Sequence, residues 1–253
     1  MKIALAQTDI KMLDKAHNLE EAKRFIAEAA ESNARLVLFP EMSMTGFSME
    51  TDKSNDNDES TLDAMKDLAK HHGIAIGFGR VETDSNGKGL NYYDIVEKTG
   101  ERILHYAKRH PFTYGGEGEK FVGGDEIPVI SIDGFAMAVQ ICFDLRFPLS
   151  FYKMAEKTHL MIVPANWPKK RISQYRTLLA ARAIENQYYV AGINCVGNQD
   201  GIEYNGQSVL FSPKGDAVAE LGDEKGLLIC DIEDDIELKR SKFPVIKDRR
   251  TDD

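Results

Sequence analysis

Three polar residues stand where long apolar runs stop, and their side chains are of types that do chemistry together. Leu36-Val37-Leu38-Phe39 runs into Pro40-Glu41, Ile103–Ala107 ends at Lys108, and Phe135–Ile141 leads directly to Cys142-Phe143-Asp144. A carboxylate at the exit of a buried strand is either paired, functional, or already in solvent, because burying it unpaired costs several kcal/mol. Free cysteine is among the most buried residue types, so by position alone Cys142 reads first as a small core residue, with a nucleophile as the alternative. Lys108 reads as a solvated strand-end lysine or as a fixed cation. Together the three types permit one chemistry. A carboxylate can take a thiol's proton, and an ammonium with a backbone N–H can stabilise the oxyanion formed when sulfur attacks an amide carbonyl.

The elements that must bring these residues together alternate along the chain. Ile3–Ala6 is a short strand, and Asn18 is expected to cap a helix with Leu19, Ala22, Phe25, Ile26, Ala29 and Ala30 at helical spacing. A second helix is expected over Thr61–His71, with Gly73 ending it in the left-handed conformation. Strands are expected at Ile74–Gly79, Tyr92–Glu97, Arg102–Ala107, Leu160–Val163, Tyr188–Asn194, Gln207–Ser212 and Leu227–Ile232. Pro128–Ile132 and Phe135–Ile141 read as a pair turning at Asp133-Gly134. Helices are expected at Phe151–Lys157 and Ile172–Asn186, the latter turning Leu178, Leu179, Ala181, Ala183 and Ile184 inward. Many strands mixed with four helices indicate an α/β chain that also carries antiparallel hairpins. Functional groups at strand ends along one sheet edge have a natural place to converge.

Composition sets the outer limits. With 42% hydrophobic residues over 253 positions, the chain has the apolar material for a proper core, which excludes collagen-like and disordered classes. The balance of 32 Lys+Arg against 41 Asp+Glu gives −9, so neither nucleic acid nor an anionic membrane is an expected partner. Three cysteines exclude a disulfide framework. The N-terminal apolar stretch is too short for a signal peptide, and no apolar run approaches the ~18 residues of a membrane span, so a cytoplasmic protein is expected. Gly115-Gly116-Glu117-Gly118 completes no phosphate-binding glycine motif, and the six histidines show no metal-ligand spacing.

The segments Leu38–Glu41, Lys108-Arg109-His110 and Ile141–Pro148 resemble the three signature segments of the nitrilase superfamily of carbon–nitrogen hydrolases. Pro164-Ala165-Asn166-Trp167-Pro168, Ala181–Asn186 and the opening strand ending Gln7-Thr8 are similar to further landmarks of that family. The resemblance covers roughly Met1 to Phe243. It implies a four-layer αββα sandwich, one hydrolase domain over 1–253 with an exposed tail from about 244, and no metal or organic cofactor. It also implies that relatives pair through their helical layer, with Ile172–Asn186 a candidate surface for a homodimer or larger assembly.

Carried over residue by residue, the resemblance makes Cys142 the nucleophile, Glu41 the general base and acid, and Lys108 the oxyanion donor. The Phe143 backbone N–H would be the second donor. A further glutamate is implied, four residues before an aromatic or aliphatic residue and seven before a glycine. Glu117 satisfies both counts with Phe121 and Gly124, and Glu119 is its competitor. The chain looks most similar to the omega-amidase-like branch, which implies a small carboxylate-bearing amide as substrate. Phe47, Phe143 and Trp167 are candidate pocket walls. His110, Arg109 or Arg146 would face the distal carboxylate, although Arg146 is expected to pair with Asp144 or another acid. N-carbamoyl amines or nitriles would use the same residues. In another class altogether, a binding or scaffold module would keep Cys142 merely buried.

Overall fold

In the computed structural model, which describes residues 1–250, the strands divide into two six-stranded sheets. The first takes β1 (Lys2–Gln7), β2 (Leu36–Leu38), β3 (Ala75–Thr83), β4 (Gly89–Val96) and β5 (Arg102–Ala107). The second takes β6 (Ile130–Ile132), β7 (Phe135–Val139), β8 (Leu160–Ala165), β9 (Tyr189–Asn194), β12 (Val209–Phe211) and β13 (Ala217–Glu220), with a separate hairpin, β10 (Val196–Gln199) and β11 (Ile202–Asn205), between β9 and β12. The chain then returns as β14 (Gly226–Asp231), which pairs antiparallel with β1 and closes the edge of the first sheet. Parallel pairing is confined to the centre: β1–β2–β3 in one sheet and β7–β8–β9 in the other. Those strands are continuous apolar runs because both of their faces are covered.

Strand alternation sorts side chains into layers. Ala4, Ala6, Val37, Ile76 and Phe78 meet Phe25, Ile26, Leu62 and Met65 from the helices Lys15–Glu31 and Ser60–His72. Their alternates Ile3, Leu5, Leu36, Leu38 and Tyr93 join the core that also contains Met137, Val139, Ile162 and Val190 of the second sheet. The helices Pro148–Met154 and Ile172–Asn186 cover the far side with Phe151, Tyr175 and Leu179. The order is α, β, β, α. Among the described residues no helix is long and apolar enough to cross a membrane.

The expected elements are present, with differences that have local causes. Asp14, not Asn18, caps the first helix, accepting from His17 N–H at 3.0 Å. Asn18 is buried inside that helix, where its amide ties together Lys11 and Met44. Gly73 does end its helix with φ +65, and Asp133-Gly134 turns β6 into β7 with both residues at positive φ. On Ile172–Asn186 the buried stripe is Tyr175, Leu179, Arg182, Ala183 and Asn186, so Ile184, expected inward, lies opposite it and is exposed. The stretch 244–250 keeps most of its side chains exposed but is docked on the body of the protein. Ile246 is buried and Arg249 donates to Tyr152 O and Asn186 Oδ1, while residues 251–253 lie outside the described part.

Candidate active site

Glu41 leaves the end of β2 and comes to lie fully buried. The chain turns sharply there, with Met42 at φ +43, and packs its backbone against Gly79 of β3. A Cβ on Gly79 would lie 2.2 Å from Met42 N, so only glycine permits this approach. Every group around the Glu41 carboxylate is a donor. Oε1 accepts from Lys108 Nζ and Asn91 Nδ2, both at 2.8 Å, and Oε2 accepts from the Asn166 backbone N–H at 2.9 Å. Asn166 Nδ2 also donates to Glu41 O at 2.7 Å.

Lys108 follows β5 and is as buried as Glu41, with its ammonium held between two carboxylates. Besides Glu41 it donates to Glu117 Oε2 at 2.7 Å. Glu117 opens a short helical turn and is fully buried, and it also accepts from Phe112 N–H at 2.6 Å and Asn91 Nδ2 at 3.2 Å. Glu119, two residues on, is exposed and takes no part in the cluster. Burial alone would pull the Lys108 ammonium down, but the adjoining charges of Glu117 and Glu41 outweigh it and hold the lysine well above its ordinary range.

Cys142 begins the turn after β7, at φ +46 and 9% exposed. A left-handed conformation for a non-glycine residue costs on the order of 1–3 kcal/mol and persists only where the surroundings enforce it. Burial first, then the charge of Glu41 and a hydrogen bond to it, push the Cys142 thiol well above its usual range, against the opposing pull of Lys108. The thiol therefore carries its proton at rest, with a carboxylate beside it.

A cavity of about 400 Å³ opens on Cys142 and Lys108 and is walled by Phe47, Phe112, Phe143, Trp167 and Tyr204. The three expected pocket walls, Phe47, Phe143 and Trp167, all line it. His110 does not, because its ring turns to Asp144, with Nδ1 2.7 Å from Oδ1. Arg109 also points away, donating to Asp125 O. Arg146 does line the cavity, but its partner is Gln174 Oε1 at 2.6 Å, not Asp144, and it lies over the Trp167 ring at 5.0 Å. Arg171 lies 5.5 Å over Phe112 on another wall. Sequence reasoning missed Asn91 as a contact of both glutamates. Its signal was available as a polar residue at a buried position of a strand. The β10–β11 hairpin was also missed, and it brings Gln199 and Tyr204 to the cavity.

Residues 2–240 match the model of the carbon-nitrogen hydrolase family. This chain belongs to that family. The hydrolase is 33% identical to a 2-oxoglutaramate amidase of Bacillus subtilis over 255 residues, which covers 99% of this chain and 98% of that protein. It is also 33% identical to the omega-amidase YafV of Yersinia enterocolitica over 251 residues, covering 98% and 96% respectively. Among solved structures, it superposes on XC1258 of Xanthomonas campestris, a CN-hydrolase superfamily protein with an arsenic adduct in its active site. The TM-score is 0.93 at 29% identity, covering 99% of this chain and 97% of that one. A glutamate-to-glutamine mutant of the amidase from Nesterenkonia sp. AN1, in which acrylamide has added to the active site cysteine, gives 0.90 at 28% identity, covering 100% and 97%.

Proposed function

We propose that the hydrolase cleaves the terminal amide of a small carboxylate-bearing molecule, of the 2-oxoglutaramate kind, through a Cys142 thioester. One observation carries the reading: the buried carboxylate of Glu41 binds the Lys108 ammonium at 2.8 Å, and both charges act on the Cys142 thiol where the cavity opens. As sulfur attacks the carbonyl carbon, Glu41 takes the thiol proton. The oxyanion forms against Lys108 and the Phe143 N–H. Glu41 then returns the proton to the departing nitrogen, so ammonia leaves and the thioester remains. A water gives its proton to Glu41, attacks the thioester, and releases the carboxylic acid with the thiol restored. Glu117 keeps Lys108 in place throughout.

The distal carboxylate is supported by the cations of the cavity. Arg146 and Arg171 rest on two different walls, and neither has a carboxylate partner among the described residues. In a chain of net charge −9, cations left without acids beside a pocket mark a place for an anion. The same reading takes the hydrolase as a cytoplasmic homodimer, which fractionation and light scattering test. The decisive experiment measures ammonia release from ω-monoamides of dicarboxylic acids, neutral amides, N-carbamoyl amines and nitriles. The ω-monoamides are expected to be the fastest, and Cys142→Ala to abolish release. Turnover by that variant, or a preference for another class, refutes the reading.

A further inference from the structure

We propose that Asp144 is the positioning residue that holds the sulfur of Cys142 and the ammonium of Lys108 in one register. The inference rests on the roles given to those two residues above. Asp144 is fully buried, yet it does not line the cavity and touches neither of them. Its carboxylate instead collects four donors. Oδ2 accepts from Ile141 N–H at 3.0 Å and Tyr106 OH at 2.7 Å. Oδ1 accepts from His110 N–H at 2.9 Å and lies 2.7 Å from His110 Nδ1. That exhausts the strong acceptor directions of a carboxylate.

The origin of those donors gives the arrangement its meaning. Ile141 immediately precedes Cys142, while Tyr106 and His110 flank Lys108 at two residues on either side. One carboxylate thus ties the end of β7, in the second sheet, to the end of β5, in the first. The same residue closes the cysteine turn from its other end, because Asp144 N–H donates to Ile141 O at 2.9 Å. With both ends fastened, Cys142 is held at φ +46 as the first residue within the turn, and the direction of the Phe143 N–H is set with it. Charge-assisted bonds shielded from water are stiff. The attacking atom and both proposed oxyanion donors therefore share one anchor. The His110 ring is itself fixed, stacked on Phe147 at 3.9 Å.

Asp144→Asn tests this. All four surrounding groups donate to the carboxylate, so the new amide N–H₂ must face a backbone N–H, of Ile141 or of His110, that cannot turn away. A displacement of about 1 Å at the reacting atoms costs up to about 100-fold in rate. Ammonia release is accordingly expected to show kcat lowered about 100-fold with KM within about threefold, since Phe47, Trp167 and Arg171 are untouched. Tyr106→Phe and His110→Ala each remove one arm and are expected to lower kcat by roughly 3–10-fold at unchanged KM. These two decide the matter if Asp144→Asn does not fold. A folded Asp144→Asn enzyme with kcat within threefold of wild type overturns the proposal, as does a KM that rises in step with the loss. So do two single-arm variants with unchanged kcat. Cys142→Ala, assayed alongside, separates the failures: if it is inactive while Asp144→Asn is fully active, only the role of Asp144 falls.

Discussion

Replacing Glu41 by glutamine is expected to move two properties of the site in opposite directions: turnover falls and the Cys142 thiol becomes more acidic. In the wild-type hydrolase, ionising the thiol places a thiolate beside the Glu41 carboxylate, whose charge opposes it. Two like charges side by side in a buried site repel, and that repulsion holds the proton on sulfur. Removing that charge therefore makes the thiol easier to ionise. Lys108 still sits beside it, and its pull is then less opposed. Loss of the base lowers kcat by about 100- to 10,000-fold. The neighbours Asn91, Lys108 and Asn166 all donate to Glu41, so the glutamine N–H₂ meets a donor and stability falls by about 1–3 kcal/mol. Protein labelled with ¹³C at the cysteine Cβ gives three NMR signals, and the one absent from Cys142→Ala belongs to Cys142. Its titration is expected to move to distinctly lower pH in Glu41→Gln while ammonia release is nearly lost. A Cys142 signal that titrates no earlier than in wild type, or a kcat within tenfold of wild type, refutes the reasoning.

Arg171→Gln and Arg146→Gln are each expected to raise KM for ω-monoamide carboxylates about 10–100-fold, the value of one charge-assisted bond, while neutral amides are unaffected. Equal effects on both substrate kinds refute a carboxylate site there. Gly79→Ala places a methyl group against the backbone of Glu41 and Met42 and is expected to cost about 1–3 kcal/mol, with a parallel fall in kcat. Unchanged urea unfolding would show that the approach is looser than the distances indicate. Burial pushes the Cys230 thiol from an ordinary value near 9 up to about 12. The unfolded chain releases this proton first, so the thiol's contribution is whole below pH 9 and is lost at ~1.4 kcal/mol per pH unit as pH rises towards 12. Unfolding free energies of Cys230→Ser between pH 9 and 11 are expected to fall less steeply by that amount, and a slope equal to wild type refutes it.

Glu41, Lys108 and Cys142 were legible in the sequence for a simple reason. Each follows an apolar stretch that ends a strand, and a strand delivers the residues after it to one edge of the sheet. The helices and most strands were legible from periodicity, and Asp133-Gly134 from its turn chemistry. What was not legible depends on which way a side chain faces. Glu117 and Glu119 lie two residues apart with the same chemistry; the family resemblance alone favoured Glu117, and in the structure burial against Lys108 separates them. His110 was expected to face a substrate and Arg146 to pair with an acid, but His110 turns to Asp144 and Arg146 to the cavity. The β10–β11 hairpin turns through Asp200-Gly201, both at positive φ. Its run Gly197-Asn198-Gln199-Asp200-Gly201 is so polar that it reads as a loop, yet it brings Gln199 to the Phe47 N–H.

The two carboxylates around Lys108 are not duplicates, and the proposed cycle explains why the hydrolase has both. Glu41 changes charge at each step, because it takes the thiol proton, gives it to the leaving nitrogen, and takes another from water. Each time it is protonated, its ion pair with Lys108 is lost, and that is the moment when the oxyanion needs the ammonium in place. A lysine held by Glu41 alone would be free to reorganise then, and reorganisation is what a preset electrostatic site avoids. Glu117 stands away from the proton traffic. It is fixed by Phe112 N–H and Asn91, and it contacts the ammonium at 2.7 Å. Its charge stays constant while that of Glu41 alternates. The thiol's high proton affinity fits the same scheme: a thiolate at rest would compete with the oxyanion for Lys108, whereas a thiol leaves the ammonium to the oxyanion until attack begins.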